Sequence, residues 1–166
     1  MKKVIRYFLE IFKRSDLIFN DQNLVTESVK LINIDDFKLN KFFYKNIGKS
    51  HGWKDRLNWS DKKWIEYTSS KNVITYVLKY KNDFAGYFEL IFHQDKKEIE
   101  IAYLGILEEY QNKKLGSYLL SEAIKKSFNF DVNRVWVHTC TLDHRNALNN
   151  YKARGMTIFK TETLNI

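Results

Sequence analysis

The chain of 166 residues has no proline, six glycines and a single cysteine. One cysteine excludes an internal disulfide framework and is typical of a protein kept in a reducing compartment. No apolar run approaches the roughly 18 residues of a membrane helix. The first residues, MKKVIRYFLEIFKR, are basic and then apolar. Charges interrupt that apolar part and no small-residue cleavage site follows, which argues against a signal peptide. We therefore expect a cytoplasmic protein that does not bind membranes.

The composition is sufficient for one folded domain. Apolar residues make up 44% of the chain and aromatic residues 16%, which is enough for a substantial core. No linker, repeat or low-complexity segment divides the sequence. We predict a single domain over residues 1–166, with an N-terminal strand extension at 1–25 and a core at 26–163.

The net charge of +8 raises the question of a polyanionic partner. Clustering of the basic residues is the informative feature, and here lysine is spread along the whole chain. Together with the abundant Asn and Ile and the missing proline, this spread indicates a general compositional bias. The pattern argues against nucleic acid as a partner, and a basic nucleic-acid-binding domain is kept only as an alternative.

The hydrophobic pattern alternates between strand and helix periods along the chain. A helix from Asp35 has Asp35 or Asp36 as its cap and Gly48 at its end, and a second helix is capped by Ser60. Strands are predicted at 4–11, roughly 25–34, 73–80, 84–92, 98–106, 134–141 and 156–163, and later helices at about 115–128 and 144–154. Short connections favour antiparallel hairpins among the central strands. The order predicts an α+β fold: a mostly antiparallel mixed sheet of about seven strands with one parallel crossover through the 115–128 helix.

The most informative segment is Tyr103–Gly116, YLGILEEYQNKKLG. It predicts a buried strand, a polar loop and the start of an amphipathic helix. Such a helix N-terminus exposes unpaired N–H groups with the positive end of the helix dipole behind them, and it is a ready site for phosphate. The loop has neither the order of a Walker loop nor the glycine triplet of a dinucleotide-binding fingerprint.

The loop resembles the acyl-CoA loop of the GCN5-related N-acetyltransferase (GNAT) family. That pattern is Gln or Arg, two residues, Gly, one residue, and Gly or Ala. Gln111 and Gly116 match it, and Lys114 stands where the first glycine is usual. Downstream, HRNALNNYKARGM is similar to the family helix that carries a Tyr followed by Gly and an apolar residue. The element order from about residue 26 to 163 agrees as well.

The resemblance implies acetyl-CoA as cosubstrate, with no metal. Its pyrophosphate would contact N–H groups of the loop, and the backbone at 104–106 would hydrogen-bond the pantetheine arm. The cofactor-binding residues implied are Leu104, Gly105, Ile106, Gln111, Asn112, Lys113, Lys114, Leu115, Gly116, Ser117 and His144. His144 stands where the family usually has Asn. Lys113 and Lys114 either add charge to the phosphate site or form an ordinary solvated pair.

Three residues are candidates for proton transfer. Tyr151 occupies the family position that often protonates the departing thiolate, although a core tyrosine on a buried helix face has the same spacing. Glu100 and Glu89 are carboxylates in otherwise apolar strands, and burial would raise their pKa toward that of a base working near neutrality. A hairpin turn at Gln94-Asp95 would place the two glutamates opposite each other.

Two further side chains have a chemical and a structural interpretation. His138 titrates near neutrality, but a strand histidine is more often an ordinary sheet residue. Cys140, on the same strand face, is either an acyl acceptor or a buried structural thiol.

Trp53, Arg56 and Trp59 are candidate acceptor-binding residues, since the resemblance implies that the helical segment before the central strands walls the acceptor pocket. We therefore predict an acetyl-CoA-dependent N-acetyltransferase that transfers acetyl directly to a primary amine of a small molecule or peptide. A non-catalytic CoA-binding domain of the same fold is the alternative, and a homodimer is left open.

Overall fold

The described part of the chain, residues 1–20 and 28–166 of a computed structural model, forms seven strands and four α-helices. The strands are β1 (Lys3–Ile11), β2 (Val29–Ile34), β3 (Val73–Tyr80), β4 (Asp83–His93), β5 (Glu98–Ile106), β6 (Arg134–Cys140) and β7 (Thr157–Asn165). The helices are α1 (Phe37–Gly48), α2 (Asp61–Thr68), α3 (Leu115–Ser127) and α4 (Ala147–Ala153). Short 3₁₀ turns lie at Arg14–Asp16 and Glu108–Tyr110.

All seven strands join one sheet in the order β2-β3-β4-β5-β6-β1-β7. The β5–β6 pair is parallel, and α3 makes the crossover between these two strands; the other neighbours are antiparallel. The α+β fold predicted from the sequence is therefore confirmed. The N-terminal strand β1 lies inside the sheet, between β6 and β7. The division into an extension at 1–25 and a core at 26–163 stays a prediction, and its boundary lies outside the described residues.

The sheet buries apolar side chains on both faces, because successive residues of a strand point to opposite sides. Leu78 and Phe88 pack with α3 and α4 on one face, where the main core lies. Val77 and Tyr87 point to the other face and pack against Phe43 and Ile47 of α1. The two helix layers therefore sit on opposite sides of the sheet, with β5 at the centre of both.

Polar caps set where the helices begin. The Asp36 carboxylate accepts from the Lys38 N–H at the start of α1, and the Ser60 hydroxyl accepts from the Lys63 N–H at the start of α2. Gly155, with φ +102°, ends α4 in a backbone conformation that favours glycine. These three signals were readable in the sequence and are confirmed.

Three local expectations differ from the structure. The β4–β5 hairpin turns over residues 94–97 and carries a register shift, so Glu89 lies opposite Tyr103, and Glu100 lies opposite Ile91. The register that placed the two glutamates opposite each other is wrong. Helix α4 begins at Ala147 and not at residue 144. Of the predicted strand at 25–34, residues 25–27 lie outside the described residues.

Candidate active site

A cleft of about 1130 Å³ opens where β5 and β6 part. The parallel ladder pairs only three positions and ends at Glu100 and Trp136. Beyond that point the two strands diverge, and 101–106 and parts of 137–140 line the space between them. The backbone of β5 from Ile101 onward therefore has one edge without a strand partner among the described residues, and that edge faces the cleft.

A β-bulge in β5 lies at the same point. Leu90 of β4 pairs with Ile101 and Glu89 pairs with Tyr103, so Ala102 is the additional residue. A bulge bends its strand and redirects the side chains that follow. Here it directs the 103–106 segment away from β6, and this segment is one wall of the cleft.

The N-terminus of α3 forms one end of the cleft. Lys114 precedes the helix with φ 61° and ψ 15°, in the left-handed region, and makes no side-chain cap. The first turn of α3 contains no acidic residue. A Cβ placed on Gly116 would meet no atom within 4 Å, so the space above this residue is open. The N–H groups and the dipole of a helix start are thus presented to the cleft at a position without bulk.

The cleft brings together most of the residues that the sequence assigned to the cofactor. Those that line it are Leu104, Gly105, Ile106, Gln111, Asn112, Lys114, Leu115, Gly116, Ser117 and His144. Lys113 is adjacent but outside this lining, and its ammonium lies 5.7 Å from the centre of the Tyr80 ring. The placement agrees with the sequence assignment, and the binding roles themselves stay predictions.

Tyr151 is positioned by α4 and lines the cleft while being only 8% exposed. Burial raises the pKa of its phenol, and the charge of Asp143 raises it further. The hydroxyl is therefore protonated across the physiological range. A proton donor and an anion-binding helix start thus share one cleft.

Asp143 is a cleft residue that the sequence reasoning did not single out. Its Oδ2 accepts from the Thr139 hydroxyl at 2.6 Å and from the Cys140 N–H at 2.9 Å, and its Oδ1 accepts from the Trp53 indole at 3.4 Å. These bonds fix a carboxylate at the end of β6 near Tyr151. In the sequence, the available signal for Asp143 was a polar Asp-His pair at the junction of a predicted strand and a predicted helix.

An aromatic and histidine wall closes the side of the cleft toward the α1–α2 connection. Trp53 packs edge-on to Tyr103 with ring centres 4.7 Å apart. His51 contacts His144 across the cleft at 6.3 Å between ring centres. The pKa of His144 is lowered by burial and by the nearby His51 and Arg145. Trp53, a predicted acceptor residue, therefore lies at the cleft, together with His51 from the same predicted helical segment and with Tyr103 of β5.

Arg56 and Glu89 form a buried ion pair beside that wall, not in the cleft lining. Arg56 Nη1 donates to Glu89 Oε1 at 2.8 Å, and the two side chains are 7% and 0% exposed. The carboxylate also accepts from Tyr67 and from Asn40. Burial alone would lower the pKa of Arg56, but Glu89, with smaller contributions from Tyr67 and Tyr103, raises the pKa above its ordinary value. Glu89 is thus held in a buried ion pair and lies outside the cleft, which argues against its use as a base.

Aromatic rings enclose the Arg56 guanidinium. The rings, with centres 4.3–5.8 Å from its Cζ, are Tyr44, Trp59, Trp64, Tyr67 and Tyr103. Trp59, the third predicted acceptor residue, contacts this cation and not the cleft. We call the pair and these rings the Arg56 cage. It fastens the α1–α2 connection to β4 and β5, since its members come from all of these segments.

Glu100 faces the same side of the sheet but lies outside the cleft lining. Its carboxylate is 3.7 Å from His93 Nε2 and is 18% exposed. Burial raises its pKa, while His93 and Arg56 oppose that rise. The raised pKa expected from the sequence is confirmed in direction, whereas its catalytic role stays a prediction.

His138 and Cys140 both line the cleft on β6. Burial, and then the charge of Arg6, lower the pKa of His138. Within residues 1–20 and 28–166, no group of three or more His, Cys, Asp or Glu side chains could hold a metal ion. The helices described here are all too short or too polar to cross a membrane.

Solved structures of other proteins share this architecture. A GCN5-related N-acetyltransferase from Kribbella flavida superposes with a TM-score of 0.68 at 12% identity, covering 96% of this chain and 56% of its own. An aminoglycoside acetyltransferase from an uncultured soil metagenomic sample has a TM-score of 0.63 at 14% identity, with 79% and 90% covered. An IAA acetyltransferase from Bacillus cereus has a TM-score of 0.59 at 21% identity, with 80% and 79% covered. These likenesses show the fold.

A search of curated proteins finds no match. The family model for the acetyltransferase (GNAT) family, in contrast, matches residues 37–156, from the first residue of α1 to the residue before β7. That span contains the parting strands, the α3 loop and Tyr151. The chain belongs to the GNAT family of acetyltransferases.

Proposed function

We propose that this protein is an acetyl-CoA-dependent N-acetyltransferase that transfers acetyl directly to a primary amine of a small molecule or peptide in the cytoplasm. The observation that carries the proposal is the single cleft that joins the open N-terminus of α3, the free edge of β5 and the Tyr151 side chain. Two of the similar structures are named as acetyltransferases of an aminoglycoside and of IAA, which is consistent with a small-molecule acceptor.

The residues present fit acetyl-CoA. The pyrophosphate would be held by N–H groups at Leu115, Gly116 and Ser117, because the helix start carries no competing acidic side chain. The free backbone edge at 104–106 would pair with the amides of the pantetheine arm. When bound, acetyl-CoA supplies the acetyl group and a thiolate leaving group.

Tyr151 is the proton donor in this proposal. As the amine nitrogen bonds to the acetyl carbon, the carbon–sulfur bond breaks and the sulfur takes the phenolic proton. The nitrogen then loses its surplus proton, which restores the Tyr151 phenol, so the products are the amide and the free thiol. The raised pKa of Tyr151 keeps the phenol protonated until that moment. Its burial also excludes water that would otherwise hydrolyse the thioester.

Asp143 is the carboxylate we assign to the amine. It lines the cleft, whereas Glu100 and Glu89 do not. An ammonium held at Asp143 would give up its proton there before attack. Glu100, predicted from the sequence, would have to act from outside the cleft through water, and the same experiment tests both residues.

Acetyl transfer from acetyl-CoA to a panel of primary amines tests the proposal, with free thiol as the readout. Tyr151→Phe and Asp143→Asn are each expected to lower kcat/KM by about 10²-fold or more, as for removal of a general acid or base. Acetyl-CoA affinity, measured by calorimetry, should stay within a few-fold. Loss of activity in Glu100→Gln with full activity in Asp143→Asn would restore the sequence assignment of the base.

The same assay separates the alternatives. A CoA-binding domain without catalysis would bind acetyl-CoA and transfer nothing to any amine. A nucleic-acid-binding domain would show DNA or RNA affinity that falls steeply with salt. A route through Cys140 would leave acetylated enzyme when acetyl-CoA is supplied without acceptor, and direct transfer predicts none.

A further inference from the structure

The outer edge of β7 is the feature that the acetyl-transfer chemistry does not use. Strand β7 is nine residues long, lies last in the sheet order and is exposed along most of its length. Its one strand partner among the described residues is β1. An edge of this length offers a row of N–H and C=O groups for pairing with another strand.

Backbone hydrogen bonds to β1 alternate along β7, and this alternation shows which residues present their N–H and C=O groups at the outer edge. Lys2 and Ile166 exchange both backbone hydrogen bonds, which makes them a hydrogen-bonded pair of the β1–β7 ladder. Such pairs alternate along an antiparallel ladder, so Leu164 and Glu162 also point their backbone groups at β1. The N–H and C=O groups of Thr161 and Thr163 therefore point outward, away from the sheet.

The sequence of this strand, TIFKTETLN, is self-complementary about Thr161. Antiparallel pairing of two copies centred on Thr161 places Lys160 of each opposite Glu162 of the other. The count holds from Lys160 onward, because Phe159 is the additional residue of a bulge in β7. Centring on Lys160 or on Glu162 would instead set like charges against each other at the axis. Charge thus favours the register centred on Thr161, in which opposite charges face each other and the outward-pointing Thr161 groups bond to each other across the axis.

The Lys160–Glu162 positions would form non-hydrogen-bonded cross-strand pairs, where side chains approach most closely. Within one chain Lys160 Nζ already lies 2.6 Å from Glu162 Oε1, so both side chains lie on the same face of β7. A two-fold axis through Thr161 would join these into a ladder of alternating charge. We propose that β7 pairs with β7 of a second copy of this chain, forming a continuous sheet through a two-fold axis at Thr161.

A charge-swap series measured by sedimentation velocity over a range of concentrations tests this pairing. The wild-type chain is expected to sediment as a dimer of the 20.0 kDa chain. Lys160→Glu and Glu162→Lys each replace two attractive cross-strand pairs by two repulsive ones. Each should therefore raise the dimer dissociation constant about tenfold or more. The double variant K160E/E162K restores opposite charges and should return the constant to near the wild-type value.

Two further variants test the backbone hydrogen bonds of β7 and ask whether the opposite edge of the sheet takes part in the dimer. Thr161→Pro removes an outward N–H that β1 does not use, so it should abolish the dimer while the chain stays folded by circular dichroism. Lys30→Glu, on the opposite edge strand β2, should leave the dimer intact. A monomeric wild-type chain at all concentrations overturns the proposal. So does a dimer that survives all the β7 variants, or one that Lys30→Glu dissociates.

Discussion

Lys114 is the residue at which this chain departs most visibly from the acyl-CoA loop pattern, and its backbone explains the family preference. With φ 61° it adopts the left-handed conformation that glycine enters without penalty. A side chain in this region costs about 1–2 kcal/mol. The lysine therefore keeps the loop geometry and its N–H while adding strain and a positive charge.

Replacing Lys114 by glycine should accordingly stabilise the protein. We expect the free energy of unfolding in urea to rise by about 1 kcal/mol, since strain is relieved at a conformation glycine tolerates. Lys113→Gly is the matched control, because Lys113 is not among the residues with positive φ and loses the same charge. Equal stability of the two variants would show that the left-handed backbone is not strained.

Glu100 gives a prediction on pH dependence. Its ordinary pKa of 4.5 is raised by burial in the folded chain, so the unfolded chain loses this proton at a lower pH than the folded chain does. Stability from this group is present below pH 4.5 and is lost as the pH rises through the folded pKa. Glu100→Gln removes the effect, so its stability relative to the wild type should increase between about pH 4 and about pH 8.

The measurement is urea unfolding of both proteins across that range. Asp61→Asn is the control with the opposite sign, because hydrogen bonding and charge from Lys41 lower the pKa of Asp61. Its stabilising contribution is fully present above its ordinary pKa of 3.8 and is lost on acidification below it. With the range extended down to about pH 2, this variant should therefore lose relative stability as the pH rises toward 4 and stay level above that. A Glu100→Gln curve that follows the Asp61→Asn curve would contradict burial as the dominant influence on Glu100.

At the scale of elements, the Arg56 cage fixes how the α1–α2 connection meets the sheet. The Arg56 N–H donates to the Tyr44 hydroxyl of α1, and its guanidinium reaches Glu89 of β4 and lies over Tyr103 of β5. Tyr103 in turn packs against Trp53 at the cleft. The aromatic and histidine wall of the cleft is therefore supported by a buried ion pair, and the shape of the candidate site depends on residues outside the cleft lining.

Breaking this pair should be costly because it leaves one charge buried alone. Glu89→Gln and Arg56→Met are each expected to lower the free energy of unfolding by about 3–5 kcal/mol, and the double variant by less than their sum. Lys41→Met, at an exposed ion pair of 2.9 Å, should cost about 1 kcal/mol or less. Urea unfolding of the wild type and these four variants measures this, and strict additivity of the two single losses would show that the pair does not act as a unit.

The elements themselves could be predicted because each is encoded locally. Strands 73–80 and 98–106 match β3 and β5 in both bounds, and the Ser60 and Asp36 caps were readable from side-chain chemistry. The pairing of Arg56 with Glu89 could not be read in this way, since it depends on the packing of segments 33 residues apart. A carboxylate inside YFELIF did signal a buried charge that needs a partner. From the sequence, that carboxylate is a candidate base, with a solvent-facing side chain or a pair with a lysine as the alternatives, because nothing local identifies Arg56 as its partner.

The β4–β5 register and the position of Asp143 could not be predicted from the sequence either, since neither is encoded locally. The hairpin turns over four residues, 94–97, and not at Gln94-Asp95, so Glu100 lies opposite Ile91 and not opposite Glu89. The bulge then shifts Glu89 by one further residue, to Tyr103. Asp143 enters the cleft only because β6 ends beside α4. The end of the cleft at the start of α3 could be predicted because its residues are consecutive in the chain. The opposite wall could not, because it is assembled from separate segments of the chain.

At the scale of the whole molecule, β1 connects the two ends of the chain. It pairs with β6 on one side and with β7 on the other, so the first strand lies inside the sheet. The family model, in contrast, matches the chain only from residue 37 onward. Leu9 pairs in register with Val137 and is fully buried in the main core beside α3 and α4. The N-terminal segment therefore contributes to the same core as the strands that form the cleft.

Leu9→Ala should for this reason destabilise the whole domain and not only an N-terminal extension. We expect a loss of about 2–5 kcal/mol in the free energy of unfolding, typical of a leucine removed from a packed core. Phe12→Ala, one residue beyond β1 and 57% exposed, should stay within about 0.5 kcal/mol of the wild type. Tryptophan fluorescence in urea reports on the Arg56 cage through Trp59 and Trp64, and on β6 beside β1 through Trp136. Trp136→Phe as the common background leaves Trp53 and the two cage residues as the reporters. A single cooperative transition at lower urea for Leu9→Ala would show that β1 and the aromatic and histidine wall of the cleft unfold together. An unchanged transition would mean that β1 is dispensable to the core, as the sequence division into extension and core supposes.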